Sequence, residues 1–273
     1  MTDKQAARIA FIGAGNMATS LVGGMLARGF RADQITLADV SAERLQVLAE
    51  QYGVRVTGDN AVAAAGADVI LFAVKPQQMA EVASALAPVV QAGKPLVISI
   101  AAGTTIAKLQ QWLGGGVAVV RCMPNTPALV QTGATGLYAC AEVSAPQREL
   151  AHAMLAAVGI ALWLDSEAQL DAVTALSGSG PAYFFLVMEA MIAAGRALGL
   201  DEHMARQLTL QTALGSAQMA VASDDSPAEL RRKVTSPGGT TQAALNVLEN
   251  AHLRDTFLAA LQAARDRSRE LAG

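Results

Sequence analysis

Cysteine is scarce in this chain. The two present, Cys122 and Cys140, fall in strand-like runs and neither belongs to a CxxC pair, so a disulfide framework is excluded and reduced thiols in a cytoplasmic protein are expected. Charge is scarce as well: 16% of residues carry it, and the net value of −3 leaves no basic face for nucleic acid. The three histidines, His152, His203 and His252, sit in helical contexts without ligand spacing, which gives no metal site. No GxSxG string is present to suggest a nucleophilic serine. Apolar runs such as Val69 to Val74 and Pro181 to Met188 stop far short of the roughly 20 residues a bilayer-crossing helix requires, so no membrane span is expected. The opening, MTDKQAARIAFIGAG, passes from a polar stretch into a strand without the charged, apolar and small-residue regions of a secretory signal.

Apolar residues are abundant instead. They make up 52% of 273 residues, enough for two domains or one large one, and the excess points to a broad subunit interface. Strand-like runs recur at Arg8 to Ile12, Ile35 to Ala38, Val54 to Thr57, Asp68 to Val74, Leu96 to Ala101, Val117 to Cys122, Thr135 to Ala139 and Ile160 to Leu164. The early ones alternate with helical segments, which predicts an α/β fold: a doubly wound, mostly parallel Rossmann-type domain over residues 1–164. Beyond Asp165 everything reads helical, giving an all-α domain over 165–273.

The first strand leads into Gly13, Ala14, Gly15, Asn16, Met17 and Ala18, then a helix to about Arg28. This is the strand, glycine turn and helix of a dinucleotide site. Gly13 permits the tight turn, Gly15 lets a pyrophosphate approach the helix start, and Ala18 allows close packing on the sheet. Asp39 closes the second strand, where an acidic residue accepts bonds from ribose hydroxyls and favours NAD over NADP; Ser41 and Arg44 can still bind a phosphate, so either cofactor is expected to serve. Ligands of such sheets lie beyond the carboxyl ends of the strands, and three clusters lie there: Ala73, Val74, Lys75 and Pro76; the SIAAG run with Ala101 and Ala102; and RCMPNTP with Asn125. Lys75, beside a proline, reads as a solvated strand end more readily than as a general acid.

In the helical half, Glu167 to Leu176 is followed by SGSGP, read as a break before a new helix over Ala182 to Leu198 with Ser179 or Gly180 as its cap. That helix is apolar nearly all round, and so must be covered on every side. A second subunit is its natural cover; a central helix in a monomeric bundle is the alternative. The next helix, capped at Asp201 and running to about Ala222, carries the small residues Gly215, Ser216, Ala217 and Ala220.

The segment VTSPGGTTQAALNVLE, Val234 to Glu249, concentrates the chemistry. Pro237, Gly238 and Gly239 form a turn with unshielded amides, and Thr240 or Thr241 begins a helix. Free amides there, with the helix dipole, suit a small carboxylate or phosphate. An ordinary capped loop is the plainer alternative.

Over Pro227 to Glu249 the chain resembles the signature of the pyrroline-5-carboxylate reductases. The likeness extends to IGAGNMA, AVKPQ, RCMPNTP and DAVTALSGSGPAYFF, and so over nearly the whole length. It implies reduction of 1-pyrroline-5-carboxylate to L-proline by hydride from NADPH or NADH, the last step of proline biosynthesis. It implies that Gly238, Gly239 and Thr240 anchor the substrate carboxylate, that Thr241 hydrogen-bonds the ring nitrogen, and that Ser236 supports the loop. Ala73 to Pro76 would run beside the ribose and nicotinamide, Asn60 would lie near the adenosine ribose, and the segments holding Ala101, Ala102 and Asn125 would line the nicotinamide pocket, with the Asn125 amide offered to the substrate. Family members often carry arginine directly after the acidic residue of the second strand, where this chain has Val40. Intertwined dimers through the helical domain, sometimes assembled into rings, are implied too, with the active site combining one subunit's cofactor domain and the other's helices.

Two other functions compete. A 3-hydroxyacid dehydrogenase would place a proton-carrying lysine where Phe184 stands, and a cofactor sensor without turnover would have no need of the SPGGTT segment.

Overall fold

Short apolar runs become interior strands when both of their faces are covered. A computed structural model describes residues 7–272 of the chain; most of the polar opening stretch and Gly273 lie outside the described residues. The order is β1 (Ile9–Ile12), α1 (Asn16–Ala27), β2 (Ile35–Ala38), α2 (Ala42–Tyr52), β3 (Arg55–Thr57), α3 (Asn60–Ala64), β4 (Val69–Phe72), α4 (Pro76–Gly93), β5 (Leu96–Ser99), α5 (Ile106–Leu113), β6 (Val119–Met123), β7 (Gly133–Ala139), α6 (Ala145–Leu155) and β8 (Gly159–Trp163). All eight expected strands are present, with ends displaced by no more than two residues.

They form one sheet in the order β3-β2-β1-β4-β5-β6-β7-β8. Every pair is parallel except β6 with β7. Alternation along the strands divides the core in two. Ile9, Phe11, Leu37, Val69, Leu71 and Ile98 pack with α1, α2 and α6 on one face, whereas Ala10, Ile12, Ile70, Phe72 and Val97 pack with α3, α4 and α5 on the other. A helix, sheet and helix sandwich results, as the pattern predicts. Cys122 and Cys140 are free, and burial pushes both thiols above their usual range.

After β8 the strands end. α7 (Gln169–Val173) leads through a π-helical turn, Thr174–Gly178, into α8 (Gly180–Ala197). The break expected at SGSGP is therefore absent, for a reason that can be traced bond by bond. Ser179 N donates to the carbonyl of Thr174 at 2.8 Å, a span one residue longer than in an α-helix. Pro181 has no amide to give to the carbonyl of Ser177, and Asn125 Nδ2 donates to that carbonyl at 3.0 Å. A 29-residue helix, Gln169–Ala197, follows, long and apolar enough by length and composition to cross a bilayer, although no uninterrupted apolar run in the sequence approaches that length.

α9 (Glu202–Ala222), α10 (Pro227–Lys233), α11 (Thr240–Asn250) and α12 (Leu253–Ala272) complete the chain. Asp201 caps α9 as expected, accepting from Met204 N at 2.9 Å. The chain packs as two units: residues up to Ser179 together with those from Ala264 onward, and Gly180–Ala263. The packing division lies beyond Leu164 because α7 packs against β6 and β7.

In the second unit only Gly180, Ala205 and Thr209 are buried. On α8, Phe184, Phe185, Leu186, Val187 and Met191 are all exposed. Each such side chain gains about 1.5–3 kcal/mol on leaving water, so this unit is built to be covered. Leu186→Glu should leave the helical content unchanged by circular dichroism and reduce the molar mass by light scattering; an unchanged mass would remove this face from the interface.

Candidate functional site

The order of strands reverses between β1 and β4, since β2 and β3 lie on one side of β1 and the later strands on the other. Crevices that bind ligands form at such a switch, outside the carboxyl ends. There Gly13 has φ +96°, and a Cβ on it would stand 2.8 Å from the carbonyl oxygen of Ala73, so position 13 admits glycine alone. Gly13 N donates to Ala38 O at 2.8 Å, joining the turn to β2.

Gly15 is the N-cap of α1 and supplies no side-chain cap. A Cβ on it would meet nothing within 4 Å. The first amides of this helix, from Asn16 and Met17 onward, lack intrahelical acceptors, and the open space over Gly15 suits a pyrophosphate. Ala14 and Ala18 are buried beneath, with Met17 packed at the edge of the core.

Asp39 has a role that the sequence does not display. Its Oδ2 accepts from Ala14 N at 2.8 Å and its Oδ1 from Ser41 N at 2.9 Å, while Arg44 stands 3.8 Å from Oδ2. The carboxylate clasps the glycine turn to the end of β2 with one bond to each oxygen, and each oxygen keeps a further lone pair. Ser41 caps α2, its hydroxyl accepting from Arg44 N at 3.3 Å. Between them Val40 is 98% exposed. Asn60 opens α3 beyond β3 and is half-buried.

The loop after β4 places half-buried Ala73 and Val74 against the glycine turn. Lys75 is exposed and N-caps α4 without a side-chain bond, with Pro76 as the first helical residue. Ala101 is buried and Ala102 half-buried in the turn after β5, a strand paired with β4.

Asn125 departs from expectation. It is 9% exposed, and both ends of its amide are engaged: Nδ2 with Ser177 O at 3.0 Å, and Oδ1 with Ala134 N at 2.8 Å. It braces the π-helical turn, with one N–H and one lone pair left over. Glu167, which no motif singles out, forms an ion pair at 2.9 Å with Arg121, the first residue of RCMPNTP.

In the helical unit, Ser236, Pro237, Gly238 and Gly239 form a tight turn. Gly239 N donates to Ser236 O at 3.0 Å, and Gly238 takes φ +69°, as expected of the third residue in a type II turn with proline second. The amide of Gly239 is thus spent within the turn, which corrects its expected part in an anchor. The open amides move one residue on. Gly239 is the N-cap of α11 and gives no side-chain cap, so Thr240, Thr241 and Gln242 have amides without helical acceptors. Arg231, Arg232 and Lys233 each pair with a carboxylate, of Glu249, Glu229 and Asp225 respectively, which leaves the start of α11 as an electropositive feature beside them.

A cavity of about 900 Å³ lined by Arg28, Phe30, Arg148, His152 and Trp163 includes none of these residues; within it Arg148 stacks on Trp163 at 3.9 Å.

A mostly parallel sheet whose switch point carries an uncapped glycine turn defines a dinucleotide-binding protein of the Rossmann class. Residues 167–271 match the family described as pyrroline-5-carboxylate reductase dimerisation, and residues 8–103 that described as NADP oxidoreductase, coenzyme F420-dependent. A pyrroline-5-carboxylate reductase of Pseudomonas aeruginosa is 57% identical over 97% of each chain. A solved pyrroline-5-carboxylate reductase from Coxiella burnetii superposes with a TM-score of 0.94 at 45% identity, covering 98% of this chain and 99% of that one. The pyrroline carboxylate reductase of Plasmodium falciparum, solved with NADP bound, gives 0.87 at 29% identity over 98% and 99%. The chain belongs to the pyrroline-5-carboxylate reductase family, and its helical C-terminal part is a dimerisation domain.

Asp39→Ala strips the acceptor from two backbone amides. A stability loss on the order of 2 kcal/mol is expected in denaturant titration, with NADH and NADPH binding weakened together by fluorescence titration. A loss confined to NADH at unchanged stability would return Asp39 to a purely ribose-facing role.

Proposed function

We infer that the protein reduces 1-pyrroline-5-carboxylate to L-proline with NADPH or NADH, the final step of proline biosynthesis. The single observation carrying the reading is the uncapped start of α11 behind a type II turn, in a chain 57% identical to a reductase of this name over nearly its full length.

The cofactor fits the residues present. Gly13, Ala14, Gly15, Asn16 and Met17 would hold the pyrophosphate, Asn60 would lie near the adenosine ribose, and Ser41 with Arg44 would take a 2′-phosphate. Asp39 serves chiefly by holding the turn in shape. Ala73, Val74, Lys75, Pro76, Ala101 and Ala102 would border the ribose and nicotinamide. When bound, the reduced nicotinamide supplies the hydride.

For the substrate, the amides of Thr240 and Thr241 grip the carboxylate, assisted by the dipole of α11. Gly238 gives the turn its geometry and Ser236 closes it. Thr241 holds the ring nitrogen with its hydroxyl. A cyclic imine takes its proton from water at nitrogen and hydride at the adjoining carbon, so orientation rather than a strong acid is what the protein must provide. Lys75 is a strand-end residue in this scheme.

Residues 1–164 form the cofactor domain and 165–273 the substrate and dimerisation domain. The exposed aromatic face of α8 is the core of a homodimer, and dimers can close into a larger ring. The same pairing accounts for the apolar helix Gln169–Ala197 without a membrane, and the weak net charge of −3 argues against nucleic acid as a partner. Reduced cysteines fit the cytoplasm.

Mixing the protein with pyrroline-5-carboxylate and NADPH, then following loss of the reduced-cofactor absorbance, tests the activity directly. Thr241→Ala should lower kcat about tenfold to a hundredfold, the worth of one hydrogen bond of about 1.5–3 kcal/mol to a charged group, and leave cofactor binding close to that of the parent. Unchanged kinetics would remove Thr241 from the site.

A further inference from the structure

A buried charge joins three segments beside the proposed nicotinamide pocket. Arg121 in β6 is 5% exposed, and it stands in register with Ser99, the last residue of β5. Among the described residues its guanidinium pairs with Glu167, Nη1 to Oε1 at 2.9 Å. The same oxygen accepts the backbone amide of Ile106 at 2.8 Å. Ile106 is the first residue of α5, and the turn entering it from β5 contains Ala101 and Ala102.

The first turn of α5 is held from a second direction. Lys108 Nζ donates to the carbonyl of Ala272, near the chain's end, and Ser268 Oγ donates to Asp171 Oδ1 at 2.8 Å. Glu167 and Asp171, four residues apart, thus tie β6, α5 and the end of α12 to the segment after β8.

The two hydrogen bonds do not themselves require a carboxylate, because a neutral amide oxygen can accept both, although Arg121 then loses its counter-charge. The placement of the Ile106 acceptor is what determines the turn. Hydride transfer is steeply sensitive to placement, a shift of about 1 Å costing on the order of a hundredfold. We propose that Glu167 is a positioning residue of the reaction, fixing the Ala101 to Thr105 turn through the amide of Ile106. The proposal rests on the reductase reading above.

Two variants separate positioning from simple charge neutralisation. Glu167→Gln keeps an oxygen for both hydrogen bonds and loses the charge; Glu167→Ala loses both. The alanine variant should lose about tenfold in kcat with its dissociation constant for NADPH within about twofold by fluorescence, and the Ile106 amide should exchange faster with deuterium in the cofactor-free protein. The glutamine variant should keep kcat within about threefold and show Ile106 exchange like the parent, even if both variants melt earlier. Equal loss of stability with kcat unchanged in both would overturn the proposal. Should Glu167→Ala fail to fold, the double variant Glu167→Ala with Arg121→Met removes the unpaired buried charge; it should show the same kcat loss, and parental kcat in it would overturn the proposal. No turnover by the parent would overturn the reductase reading, while unaltered Ile106 exchange in the alanine variant would overturn the positioning alone.

Discussion

The carbonyl of Ala73 lies where a side chain on residue 13 would have to stand, 2.8 Å from the ideal Cβ position. That approach sets how closely the loops after β1 and β4 meet, and every cofactor-side element depends on it. Gly13 N reaches across to Ala38, and Asp39 collects Ala14 and Ser41. The result is a turn fixed before any ligand arrives, with its polar groups already aligned at the start of α1. Preorganisation of this kind removes an ordering cost that binding would otherwise have to meet.

The helical unit is stabilised in a different way. α9 and α10 are capped by Asp201 and Ser226, yet almost none of the unit's side chains is buried within one chain. The apolar excess that the composition records therefore resides in a surface made for a second copy, in accord with the dimerisation match over residues 167–271. Association of this half is driven by its apolar faces, which gain their cover from the partner.

Much of this was legible in the sequence because it is local. Alternating apolar runs, glycine turns and caps such as Asp201 state their roles within a few residues, so the sheet and the two-part organisation could be read directly. What escaped depends on partners far along the chain. SGSGP looks like a helix break until Asn125, 52 residues earlier, is seen to take the carbonyl that Pro181 leaves vacant. Asn125 looks like an available amide until both its ends are found engaged. Gly239 seems to offer an amide, but the type II turn consumes it. Glu167 reads as an ordinary helix-entry acid, and only the folded chain brings it to Arg121 and Ile106. Asp39 reads as a ribose acceptor, and only the folded chain shows its bonds to Ala14 and Ser41.

Val40 stands between two residues committed to hydrogen bonds, yet its own side chain is almost wholly in solvent. Evolution can exchange it freely: an arginine there would meet no packing constraint and would leave the clasp below untouched. A change of charge at this corner would therefore carry little cost in folding.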